Sequence, residues 1–145
     1  MGKRMAIAVV ALAGLFVSIY LTLYKLGALG ELSCAVGSCE TVQTSRWAVF
    51  LGLPVAAWGV GYYLATLAVA ILGLQERWAD SSALPLVQTA MSGWGVLFSG
   101  WLTWLELFVI DAICMWCVIS AILVCIIFVL SLLDWLEVRR EVPAP

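Results

Sequence analysis

Two cysteines stand three residues apart in Cys114-Met-Trp-Cys117, and a second pair, Cys34 and Cys39, lies far upstream in Ser33-Cys-Ala-Val-Gly-Ser-Cys-Glu40. Residues three apart share one face of a helix, so the sulfurs of the first pair can come within disulfide reach. A thiolate in the first turn of a helix gains from the positive end of the dipole, and the thiolate is the form that attacks disulfides. Asp111, the expected cap of that helix, places an anion nearby and works against the effect. Such a pair suits thiol–disulfide exchange, in which two electrons pass through mixed disulfides. Two other uses of four cysteines stay open at this point: a pair of structural staples, or a zinc site of four thiolates. A CxxC at a helix start is the usual redox arrangement, and a bundle in lipid has little need of staples. Zinc would compete poorly with oxidation on an exported face. The fifth cysteine, Cys125, lies eleven residues beyond Cys114, about 16 Å deeper along the same helix, and is expected to be a small apolar packing residue.

The rest of the composition removes competing chemistries. The 145 residues contain no histidine, which takes away His-ligated haem and zinc, Ser-His-Asp triads and imidazole relays. Lysine plus arginine is 7 against 9 acids, a net charge of −2, so there is no basic surplus for nucleic acid. With 65% hydrophobic residues, 11% charged and a mean hydropathy of +1.11, the chain is neither a water-soluble enzyme nor disordered. It reads as a small integral membrane protein.

Four apolar runs are long enough to position the cysteines by spanning a bilayer. They cover 5–24, 55–74, 84–107 and 113–133, the second opened by Pro54 where a missing N–H costs nothing. The first run exceeds the h-region of a signal peptide, although Ala28-Leu29-Gly30 resembles a cleavage site. With both termini cytoplasmic, Lys3, Arg4, Arg77, Arg139 and Arg140 lie inside, while Lys25 and Arg46 lie outside. The loop 25–53 then faces outward together with the short turn before the fourth span, so both cysteine pairs reach one oxidising face. The expectation is a single-domain, all-α membrane protein over 1–145, a four-transmembrane-helix bundle in the plasma (inner) membrane.

Several residues around these pairs carry a resemblance. After Cys39 come Ser45-Arg46-Trp47, then Gly52-Leu-Pro54 and Gly59 at the start of the second span, and finally the CxxC opening the fourth. In order and depth these resemble the vitamin K epoxide reductase family, in its prokaryotic form, over nearly the whole chain. The resemblance implies a bundle around a quinone, capped by the outer loop and a short half-helix between helices 1 and 2. It implies that Cys114 and Cys117 are the active-site pair, Cys117 facing the quinone and Cys114 exchanging with the loop pair, chiefly Cys39. Cys34 and Cys39 would carry electrons from a thioredoxin-like exported partner, and Ser45 would hydrogen-bond a quinone oxygen. Animal members have a tyrosine four residues after the CxxC and an asparagine near the start of the second span. Here Ala121 takes the first position and nothing around Val55 matches the second, which counts against vitamin K epoxide as substrate. With the chain ending at Pro145, the thioredoxin-like partner is expected to be a separate protein.

The acceptor should be soluble in lipid and take two electrons and two protons, which describes ubiquinone or menaquinone; no metal is expected. A quinone site is apolar and aromatic with a few polar contacts. Trp58, Tyr62, Tyr63 and Trp116 are the candidates, although Trp and Tyr collect at the lipid–water interface for other reasons. Glu106, near the outer end of the third span, is expected at the interface, with proton transfer to the quinone as its other use. Competing readings are a DsbB-type oxidase, a disulfide-stapled subunit without turnover, and a small transporter. The first places its second cysteine pair in a longer loop between the third and fourth helices. The last needs polar residues along the bundle interior, whereas Thr66, Gln88, Thr89, Ser92, Ser99 and Thr103 look scattered.

Overall fold

The computed structural model of the chain describes residues 2–27, 49–78, 83–111 and 113–141. Helix α1 covers Gly2–Lys25 and is followed, among the described residues, by a small hairpin of β1 (Val49–Phe50) and β2 (Leu53–Pro54). Helix α2 covers Val55–Leu74, a 3-10 turn Glu76–Trp78, and helix α3 Ala83–Leu105. A π-helical turn over Glu106–Ile110 extends α3, and helix α4 runs over Met115–Glu141. All four helices are long and apolar enough to cross a membrane, and they form an all-α bundle. The expected half-helix between the first two spans, and Cys34, Cys39, Ser45 and Trp47, lie outside the described residues.

The expected spans meet the observed helices closely where apolar runs set their ends, and less so where charges do. Helix α1 begins at Gly2 rather than Met5, and α4 continues to Glu141 rather than stopping at Leu133. Both extensions have one cause. Arg4 Nε meets Asp134 Oδ2 at 3.0 Å, and Arg4 Nη1 donates to the Gly73 carbonyl at 2.6 Å. Lys3 pairs with Glu137 on the same turn. Charges that look like membrane flanks therefore lock α1, α2 and α4 together, with Arg4 and Asp134 both buried.

Helix α1 packs against α2 and α4, and α3 packs against α4, while α2 and α3 touch least of the neighbouring pairs. The core between α1, α2 and α4 holds Ile7, Ala11, Leu15, Tyr63, Ala70, Val124 and Ile127. Val124 and Ile127 take the inward positions on their turn of α4, which turns Cys125 outward. Cys125 is exposed, so it is not the interior packing residue expected from the sequence. Phe16 and Leu97 also face outward, as lipid contact requires. The polar side chains are less scattered than the sequence suggests, since Thr66, Gln88 and Ser92 are all buried. Several hydroxyls bond their own helix: Ser92 donates to Gln88 O at 2.8 Å, Thr89 to Pro85 O at 2.7 Å and Thr103 to Ser99 O at 2.8 Å.

One close approach sets the α1–α2 spacing. Gly14 lies under the ring of Tyr63, and a Cβ on that glycine would overlap the ring. Tyr63 has little freedom to move aside: it is 1% exposed, and its hydroxyl donates to Ser120 O at 3.1 Å and pairs with Ser120 Oγ at 2.8 Å. Gly14→Ala is therefore expected to destabilise the bundle by about 1–3 kcal/mol, the usual cost of overpacking. Thermal unfolding in detergent measures it, and a Tyr63→Phe background should leave the penalty in place because the clash is with the ring.

Candidate active site

The two CxxC sulfurs are placed by the way α3 ends. Its last turn widens into the π-helical segment, and Asp111 closes it in a left-handed conformation at φ 58°, with its N–H on Glu106 O. The chain then turns into α4, whose first hydrogen bond runs from Val118 N to Cys114 O at 3.1 Å. Cys114 thus stands at the N-cap position and Cys117 at the third helical residue, close to the placement expected from their spacing. Asp111 is not the carboxylate at this helix start. Glu106 reaches it instead, its Oε2 accepting the Cys114 N–H at 3.4 Å.

Cys114 is fully buried, packed with Leu21 of α1 and flanked by Ile110 and Ala56. The Cys117 thiol contacts both the Cys114 thiol and the Glu106 carboxyl. Glu106, expected at the lipid–water interface, is only 4% exposed, and the widened turn directs it inward against the cysteines. The sequence did hold a signal for this, since an acid in an apolar span is costly unless something inside receives it.

Cys117 and Glu106 open on a cavity of about 610 Å³ in the same half of the bundle. All four helices contribute to its walls, Ser18 and Leu21 from α1, Ser120 and Val124 from α4, and most of the rest from α2 and α3. Of the aromatic candidates, Trp58, Tyr62 and Tyr63 line it. The Tyr62 ring lies against Gly95 of α3, whose Cβ, if present, would stand 3.0 Å from the hydroxyl. Trp116 does not line the cavity. One residue back from Cys117 it points round the helix toward α1, its ring centroid 5.3 Å from that of Tyr20. Phe50 of the hairpin was not foreseen, yet it lines the cavity and bridges α2 and α3. Its ring lies 6.0 Å from Trp58 on α2 and 5.9 Å from Phe98 on α3, and its carbonyl accepts the Trp58 Nε1–H at 2.9 Å.

Two adjacent thiols beside an apolar chamber are chemically able to exchange electrons with a lipid-soluble molecule. A model of the vitamin K epoxide reductase family matches residues 5–132. The chain belongs to that family. As a vitamin K epoxide reductase family member it is a multi-pass membrane oxidoreductase, and enzymes of this family generally use quinones. The match takes in the CxxC, Glu106 and every cavity-lining residue. Arg4 and Asp134, which lock the opposite end, fall just outside it.

Proposed function

We propose that this protein is a thiol:quinone oxidoreductase that generates disulfides. Electrons pass from a thioredoxin-like exported partner through Cys34 and Cys39 to Cys114 and Cys117, and then to ubiquinone or menaquinone. The supporting observation is that Cys117 forms part of the wall of an apolar, aromatic cavity while touching the thiol of Cys114. About 610 Å³ falls within the range of small-molecule pockets and suits a quinone ring with the start of its tail. The few polar groups on the walls, among them Tyr62, Ser99 and Thr103, are of the kind that orient quinone oxygens. On this reading Trp58, Tyr62 and Tyr63 contact the quinone and Ser45 adds a hydrogen bond from the loop.

The residues divide the work by burial. Cys117 faces the acceptor, and Cys114, shielded from the cavity, is the sulfur left to exchange with Cys39 of the loop. A loop pair can meet both a soluble partner and a buried pair, and each transfer needs only a thiolate in line with a partner sulfur. The termini lie in the cytoplasm and the cysteine pairs face outward across the plasma (inner) membrane, as the lysine and arginine distribution indicates.

The test follows quinone absorbance with purified protein and a reduced thioredoxin-like substrate. Cys39→Ala is expected to lose activity with the protein substrate and to keep it with a small membrane-permeant dithiol, marking the loop pair as the shuttle. Wild-type protein that reduces no quinone, with Cys114 and Cys117 able to cycle, would leave a disulfide-stapled subunit without turnover.

A further inference from the structure

The scheme above moves two electrons and leaves the protons unassigned. Among the described residues two acids are buried within the helices, and their surroundings differ. Asp134 faces Arg4 at 3.0 Å, which accounts for its burial as half of an ion pair. The described partners of Glu106 are instead the Cys114 N–H and the Cys117 thiol, and its side chain forms part of the cavity wall. Among the described residues, Glu106 is thus the carboxyl that touches the Cys117 sulfur and also opens on the cavity. The π-helical turn that begins at Glu106 is what points it there, and π-turns inside helices are frequent at functional sites.

We propose that Glu106 is the proton carrier of the Cys114–Cys117 couple, a catalytic residue that takes the Cys117 proton and delivers it to a quinone oxygen. This rests on the thiol:quinone reading of the site. In the step, two S–H bonds break and one S–S bond forms, so the dithiol loses two electrons and two protons. The quinone gains both and becomes hydroquinone. The Cys117 proton passes to the Glu106 carboxylate and on to one quinone oxygen. The same carboxyl, having discharged, then carries the Cys114 proton to the second. General acid–base catalysis of this kind typically contributes 10²–10⁴-fold.

A purely structural role for Glu106, holding the start of α4 through the Cys114 N–H, makes a different prediction, and two variants separate them. Glu106→Gln keeps an acceptor oxygen of the same reach and loses the acid. Glu106→Asp keeps the acid and shortens the reach. With proton transfer, turnover with dithiol and quinone falls roughly 10²-fold or more in Glu106→Gln and is partly restored in Glu106→Asp. With a cap alone, Glu106→Gln matches wild type and Glu106→Asp is the poorer enzyme, an order that overturns the proposal. Should Glu106→Gln fail to fold, the reduced-minus-oxidised infrared spectrum of wild type decides: a carboxyl C=O band that changes with Cys114–Cys117 oxidation supports the carrier, and its absence overturns it. Wild type inactive toward quinone removes the thiol:quinone reading and this inference together. Wild type active with Glu106→Gln equal to it removes this inference alone.

Discussion

Cys117→Ala protein is expected to reduce quinone at least about 10³-fold more slowly than wild type with any dithiol donor, since a reacting pair acts as a unit and its loss is not shared out. Alanine deletes the sulfur in the cavity wall that Cys114 contacts, so the CxxC can no longer close its own S–S bond. Cys114→Ala is expected to be equally inactive, and the two variants should differ in accessibility. A lipid-soluble maleimide should label Cys117 in Cys114→Ala, with quinone slowing the reaction. Cys114 in Cys117→Ala should label far more slowly. Quinone reduction by Cys117→Ala within tenfold of wild type would show that electrons leave the protein by another route.

The largest effect on stability is expected at the other end of the bundle. Arg4→Ala strands the Asp134 carboxylate in a buried position and takes the donor from Gly73 O, and breaking one side of a buried pair costs about 3–5 kcal/mol. The double variant Arg4→Leu with Asp134→Leu should recover most of that loss, because apolar replacements of both partners leave no uncompensated charge. Unfolding in detergent measures both. Turnover per folded molecule should hardly change, since Asp134 lies seventeen residues beyond Cys117, about 25 Å along α4. A single variant as stable as wild type would mean that water reaches this pair.

The helices were legible because hydrocarbon thickness imposes a minimum length of apolar chain, and runs such as 55–74 satisfy it without help from tertiary contacts. The extra turns of α1 and α4 were not, because Arg4 and Asp134 stabilise them from 130 residues apart. The CxxC at the start of α4 could be placed from its spacing alone. For Glu106 the sequence offered only the cost of an acid in an apolar span; the π-helical turn that aims it inward leaves no trace in the apolar pattern of 106–110. Trp116 lies off the cavity for a related reason. Its residue type suits a quinone site, but its position one step round the helix from Cys117 sends it to Tyr20. The hairpin that carries Phe50 is too short, at two residues per strand, to show an alternating pattern.

The light contact between α2 and α3, bridged at the CxxC end by Phe50, bears on how the enzyme meets its acceptor. On the thiol:quinone reading proposed above, the acceptor reaches a cavity walled mostly by those two helices by lateral diffusion within the leaflet. Occupancy of the site then follows the mole fraction of quinone among the lipids, and bulk molarity is the wrong variable. Half-saturation belongs in mole per cent, and adding quinone-free lipid or detergent at constant total quinone acts as dilution of the substrate.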